Sequence, residues 1–200
     1  MAWAKRHNTA TESKALIRRN VLEHLGADAC RVLDCYCGPT GEMWSRVWQN
    51  AASYTGIDKE WRGLADPRRR LVGDTTLLLR AIDLGPFNVF DVDCYGCPWP
   101  AMLMIQHHKV WEPGERGAVI ITDGAFIKSA LGGMPHALAQ ALGRTSRTSI
   151  AGRKSYDEIR RLALQRWLDA QRLEPIAGWQ AQIRKGSQMY YGALVFEAQA

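Results

Sequence analysis

The sequence predicts an α/β sandwich built on a mainly parallel sheet. Three observations carry this. Strand-like and helix-like segments alternate through the first two thirds of the chain. One of the junctions is a strand, a glycine turn and a helix start, at residues 31–50. The chain closes on two β-rich segments around Lys185-Gly186-Ser187 that read as an antiparallel hairpin.

Each element has its own local signal. Thr11–Leu25 reads as a helix with Ile17, Val21 and Leu25 four residues apart; Thr11 or Ser13 is placed to cap it, and Gly26 follows its end. Arg31–Tyr36 is the first strand. A helix over Glu42–Asn50 carries the apolar stripe Met43, Trp44, Val47 and Trp48. Ala52–Ile57 is a second strand, Leu71-Val72 a short third and Phe87–Asp93 a fourth, released by Pro86. Helices are predicted over Thr75–Ile82 and Pro100–Trp111, and Ala118–Thr122 is a wholly apolar fifth strand. Short helices follow at Ala125–Leu131 and Pro135–Leu142. Arg144–Ser155 is a basic stretch expected to be a mobile loop. Tyr156–Leu173 is an amphipathic helix with Ile159, Leu162, Ala163, Trp167 and Ala170 facing inward. Ile176–Arg184 and Met189–Phe196 form the closing hairpin.

Two hundred residues are enough to bury a sizeable core, and one domain is expected over 1–200, with no internal repeat. No run approaches the ~18 apolar residues of a membrane span. The start, Met-Ala-Trp-Ala-Lys-Arg-His, lacks the apolar stretch of a secretory signal, so a cytoplasmic chain with no membrane partner is expected. Five cysteines, Cys30, Cys35, Cys37, Cys94 and Cys97, are an odd count that argues for reduced thiols. The net charge of +6 biases the chain toward anionic partners, nucleic acid being the commonest.

Four stretches carry chemistry. Arg31-Val-Leu-Asp-Cys-Tyr-Cys-Gly-Pro-Thr-Gly41 ends a strand in an acid and a glycine turn, which sets backbone N–H groups beside an opening at the sheet's carboxyl edge. Gly56-Ile57-Asp58 ends the next strand in an acid. A Gly73-Asp74 step and Asp91-Val-Asp-Cys-Tyr-Gly-Cys-Pro98 follow. In this order and spacing they resemble the S-adenosylmethionine-dependent methyltransferase superfamily, from about Arg31 to Asp123. The resemblance implies a three-layer Rossmann-like α/β/α sandwich with seven strands, the last inserted antiparallel. It also implies S-adenosyl-L-methionine as cofactor. Asp34, Tyr36, Gly38 and Gly41 fall where that family cradles the methionine part. Asp58 falls where it binds the ribose hydroxyls, and Asp74 where a side chain meets the adenine.

The stretch after the fourth strand resembles the acceptor loop of amino-methyltransferases. An exocyclic amine on a base is a poor nucleophile, because its lone pair is delocalised into the ring. A carboxylate accepting its N–H bonds favours the pyramidal nitrogen and steadies the developing charge, and an aromatic ring holds the extruded base. Asp93 is the expected acceptor, helped by the Cys94 carbonyl, with Tyr95 as the stacking ring and Trp99 as a second aromatic wall. More narrowly, Asp93, Tyr95, Gly96 and Pro98 match the Asp-Pro-(Phe or Tyr)-Gly-x-Pro loop of tRNA guanine-N2 dimethyltransferases, with Cys94 in place of the first proline. The resemblance implies a nucleic-acid substrate, RNA before DNA. Phosphate contacts are expected from Lys5, Arg6, Arg68–Arg70 and Arg144–Lys154.

Other classes are weighed against this. Cys35, Cys37, Cys94 and Cys97 lie at the ends of two neighbouring predicted strands, yet thiols alternating along a strand converge poorly on a metal, and no metal is expected. Cys97 precedes its proline, the reverse of the pyrimidine-C5 nucleophile pattern. A nicotinamide oxidoreductase predicts Gly-x-Gly-x-x-Gly where this chain has only Gly38-x-x-Gly41. A non-catalytic binding module on the same fold would bind without turnover.

Overall fold

The computed structural model describes residues 10–60, 67–125, 133–145, 152–181 and 189–200. The predicted helix over Ala125–Leu131, but for its first residue, lies outside them. So do Lys5, Arg6, Arg147, the Lys185–Ser187 turn and the side chains of Arg153 and Lys154.

Seven strands form one sheet: β1 (Arg31–Asp34), β2 (Ser53–Asp58), β3 (Arg69–Val72), β4 (Val89–Asp93), β5 (Arg116–Asp123), β6 (Leu173–Ala181) and β7 (Tyr190–Ala198). Their order is β3-β2-β1-β4-β5-β7-β6. The first five strands run parallel, and β7 enters antiparallel between β5 and β6. The order reverses between β1 and β4, so a crevice opens outside their carboxyl ends. The central strands are buried on both sides, which is why β4 and β5 read as nearly continuous apolar runs. This is the three-layer, mainly parallel sandwich with a terminal antiparallel hairpin that the sequence predicts.

One face is covered by α3 (Thr75–Ala81), α4 (Trp99–His108), α5 (His136–Ala141) and α6 (Gly152–Asp169). Its core gathers Leu33, Phe90, Val92, Met102, Trp167 and Phe196. The other face carries α1 (Thr11–Leu25) and α2 (Glu42–Arg46) over Val32, Val89, Ala118 and Val195. Leu33 and Val32 fall on opposite faces, as the two-residue period of a strand requires.

Several expectations are corrected. Neither Thr11 nor Ser13 caps α1: Ala10 is the N-cap residue and no side chain serves there, whereas Gly26 closes the helix at φ 86° as predicted. The helix predicted over Glu42–Asn50 stops at Arg46. Val47 turns out of the helix at φ −142°, and a 3₁₀ turn over Trp48–Asn50 follows. The break seats Trp48 fully in the core, where its Nε1 donates to Asp91 Oδ2 at 2.9 Å. At the other end of the chain, α6 begins at Gly152, so the last four residues of the predicted basic loop are helical. It ends at Asp169, and Arg172, in the left-handed region at φ 55°, turns the chain into β6. Leu162 and Ala170 face outward; Tyr156, Ala163, Leu164, Trp167 and Leu168 form the buried stripe instead. No helix among the described residues is long and apolar enough to cross a membrane.

Candidate functional site

The carboxyl edge around the reversal point collects most of the sequence's candidate residues. β1 ends at Asp34, and the turn that follows uses left-handed backbone at Gly38 (φ 68°) and Gly41 (φ 60°), conformations that cost an L side chain about 1–2 kcal/mol. Gly41 has a second constraint: a Cβ there would lie 1.7 Å from the Arg68 guanidinium. Arg68 is thereby packed into the turn and over the Trp44 ring (5.9 Å), buried rather than turned to solvent. That removes it from the predicted phosphate-binding stretch. A Cβ on Gly38 would meet open space, so the outer face of the turn is unobstructed.

Asp58, at the end of β2, reaches across to this turn. Its Oδ2 accepts the Gly38 N–H at 2.9 Å and its Oδ1 accepts the Glu60 N–H at 2.9 Å. An ionised carboxylate has further lone-pair positions beyond these two. Asp74 is differently employed. It is the N-cap of α3, accepting the Thr76 and Leu77 N–H groups, and it pairs with Lys59 at 2.8 Å. Lys59 and the Thr76 hydroxyl hold it below the ordinary carboxylate range.

On the other side of the crevice the site is built from buried charge. Asp91 and Asp93 are two residues apart on β4 and so point to the same face, toward α1. There, one helical turn apart, stand Lys14 and Arg18. Arg18 grips Asp91 with both arms, Nε to Oδ2 and Nη2 to Oδ1, each at 2.6 Å. Its Nη2 also reaches Asp93 Oδ2 at 3.1 Å. Lys14 Nζ sits on both oxygens of Asp93, at 2.6 and 2.8 Å. Burial works against the Asp93 charge, but Arg18 and then Lys14 outweigh it and hold the group below its ordinary range. Burial lowers the proton affinity of Arg18, and Asp91 and Asp93 more than restore it.

Asp34 completes the group as a third carboxylate for two cations. It accepts the Tyr54 hydroxyl at 3.0 Å and the Tyr36 N–H at 3.3 Å. Burial, followed by repulsion from Asp91, pushes its pKa well above the ordinary carboxylate value, the opposite direction from Asp93.

A cavity of about 100 Å³ lies between the two sides. Asp34, Tyr36 and Thr40 line it from the glycine turn, Asp93 and Tyr95 from the β4 end, and Lys14 from α1. Tyr95 stands on its rim with 85% of its surface exposed. Trp99 does not join it. The first residue of α4, it is fully buried in the core on the far face, so the expected second aromatic wall is a packing residue. The cysteines are also dispersed. The Cys35 thiol points at the Leu33 carbonyl and the Cys94 thiol at the Thr122 carbonyl, while Cys37 packs where a Cβ on Gly56 would lie. Burial pushes the Cys94 thiol up to about 11 and Cys37 to about 12, away from the thiolate a nucleophile or ligand needs. Among the described residues no three His, Cys, Asp or Glu side chains come together for a metal.

Lys14, Arg18 and Tyr54 carry no role in the sequence reading, and Trp48 appears there only in the apolar stripe of a helix. A signal for the first two exists. Lys14 and Arg18 lie at i and i+4 on the stripe that also bears Ile17 and Val21, and charges inside an apolar stripe require partners.

This sheet order, with the last strand inserted antiparallel beside the fifth, defines the Rossmann-like methyltransferase fold. The sequence matches no protein-family model and no curated protein. Solved structures share the fold at low identity. Trm1 from Pyrococcus horikoshii, in complex with S-adenosyl-L-methionine, superposes with a TM-score of 0.58 at 13% identity, over 100% of this chain and 57% of that one. The N-methyltransferase NodS from Bradyrhizobium japonicum, in complex with S-adenosyl-L-homocysteine, gives 0.54 at 12%, over 99% and 92%. A Lactococcus lactis protein described as a candidate hemolysin gives 0.59 at 14%, over 97% and 89%. At such identities the likeness is one of fold.

Proposed function

We propose that this chain is an S-adenosylmethionine-dependent methyltransferase, organised as one catalytic domain, that N-methylates an exocyclic amine of a nucleic-acid base. RNA guanine is the favoured acceptor. The observation that carries the reading is a single cavity in which the glycine turn after β1 faces the Asp93–Tyr95 loop after β4. Two structures of this fold hold S-adenosylmethionine or its demethylated product, which supports the same cofactor here.

The residues fit that cofactor. Gly38 leaves open space above the turn, and Asp58 keeps acceptor positions free beside it for two ribose hydroxyls. Asp34 and Tyr36 line the part of the cavity where the methionine end belongs. Asp74 caps α3 at the carboxyl end of β3, beside the adenine position that the resemblance implies. When bound, the cofactor supplies an electrophilic methyl group on a sulfonium.

Asp93, held ionised, accepts the N–H bonds of the incoming amine and offsets the charge that grows on nitrogen. To do so it exchanges the Lys14 ammonium for the substrate's amine, a movement that lysine's four-carbon stem permits. Tyr95, exposed on the rim, offers a face to the extruded base. The loop motif from Asp93 to Pro98 and the net charge of +6 support a nucleic-acid acceptor.

Calorimetric titration with S-adenosylmethionine, S-adenosylhomocysteine and NAD tests the cofactor. Micromolar binding of the first two and none of the third is expected. Transfer of labelled methyl to tRNA, rRNA or DNA then identifies the acceptor. Failure of both methylated and demethylated cofactor to bind would sink this reading and leave a binding module on the same sheet.

A further inference from the structure

The carboxylate assigned to the incoming amine already holds one. Lys14 Nζ lies 2.6 and 2.8 Å from the two Asp93 oxygens. The ring of Tyr191 is 5.1 Å away and that of Tyr95 5.8 Å, so the ammonium sits in a box of one acid and two tyrosines. That arrangement suits an alkylammonium, through ion pairing on one side and ring quadrupoles on the others. The box opens into the cavity lined by Asp34, Tyr36 and Thr40 of the glycine turn. No other described lysine is so placed. Lys109 is as deeply buried, pairs with Glu115 at 3.0 Å and lies 4.5 Å from the Trp111 ring, but it sits beside the start of β5, away from this cavity.

We propose that Lys14 is a methylation site of its own chain, modified in the cavity that it lines. The inference rests on the reading of S-adenosylmethionine as donor. Lys14 first gives up one proton to solvent water, and Asp93 stays ionised. The neutral amine then attacks the methyl carbon of the bound sulfonium. A nitrogen–carbon bond forms as the carbon–sulfur bond breaks, the electron pair stays on sulfur, and a neutral thioether leaves. The product is a methylammonium, still positively charged. Each methyl removes one N–H donor, so full methylation leaves the charge among the tyrosines but no hydrogen bond to Asp93.

The test uses the full chain, incubated with S-adenosylmethionine, digested and analysed by mass spectrometry, with cofactor binding followed in parallel by calorimetry. The expected result is methyl on the Lys14 peptide, accumulating faster as pH rises because the neutral amine is the nucleophile. Lys109 and Lys59 stay unmodified, and the Lys14→Arg chain loses the label. Cofactor binding with Lys14 unmodified overturns the inference and leaves the donor reading standing. Absence of cofactor binding overturns both. A readout independent of turnover is the Lys14→Ala chain, whose melting temperature propylammonium should raise and propanol should not. Equal effects of the two would show that the box has no preference for an ammonium, and would overturn the proposal.

Discussion

The two sides of the crevice are held by different forces. On the β1–β2 side, backbone does most of the work: two left-handed glycines shape the turn, and Asp58 ties it to β2 through an N–H bond. The groups involved lie within 20 residues of one another. On the β4 side, Asp91 and Asp93 are packed with two cations beneath the surface, against Asp34 at the end of β1, and every ion pair spans more than 70 residues. A turn held by backbone tolerates side-chain change; a buried charge cluster does not, because deleting one member strands the others in a poor solvent for charge.

The sharpest way to break this comparison is Asp91→Ala. It leaves Arg18 without its bidentate partner and Trp48 Nε1 without an acceptor, so a loss of about 3–5 kcal/mol is expected in urea unfolding. A loss below about 1 kcal/mol, the range of an exposed pair, would mean that water reaches the cluster. Asp93→Asn keeps the shape and removes the charge. Methyl transfer should fall by about 10²-fold or more with little change in cofactor affinity. Near wild-type transfer would remove Asp93 from the acceptor role.

Asp58→Ala should do the reverse. Cofactor binding weakens by about 1.5–3 kcal/mol for each charge-assisted hydrogen bond lost, read by calorimetry, while turnover at saturation holds. A fall in turnover with affinity intact would place Asp58 on the wrong side of the comparison. The smallest effect concerns pH. Asp34 has a raised pKa, so the folded chain binds its proton more tightly than the unfolded chain does. Its contribution is complete below the unfolded value of about 3.9 and is lost as pH rises toward the folded value. Asp93, with a depressed pKa, contributes in the opposite sense: its share is present above about 3.9 and is lost as pH falls through the folded value. Asp34→Asn should therefore flatten the decline of melting temperature with rising pH above about 4, and leave the acid limb set by Asp93. An unchanged profile would show that Asp34 ionises as freely as an exposed carboxyl.

The same division explains what could be read from the sequence. The glycine turn, the acid ending β2 and the α/β class follow from short-range signals: two glycines three residues apart, apolar runs closed by aspartates, and strands alternating with helices; the inserted antiparallel strand came only with the family resemblance. The β4 motif was equally visible as a string. Its partners were not, because nothing local joins Lys14 to Asp93, and the register of α1 on the sheet is fixed only when Ile17 and Val21 pack. Trp48 shows the converse. Its helical spacing from Trp44 suggested a continuing helix, but the hydrogen bond to Asp91 on β4 turned it inward and ended the helix early. Trp99 follows the same logic, since a ring beside an acceptor loop and a ring in a core look alike in a sequence.

The margins of the sheet carry a consequence for handling the protein. At one side β3 is four residues long and begins with two arginines; at the other, β6 carries Pro175 and a register shift between Pro175 and Ala177. Short, charged and kinked strands are poor templates for a neighbour's backbone. Neither border therefore invites strand-by-strand accretion. Concentrated solutions of the folded chain should resist fibrillar growth without help from a partner covering the edges.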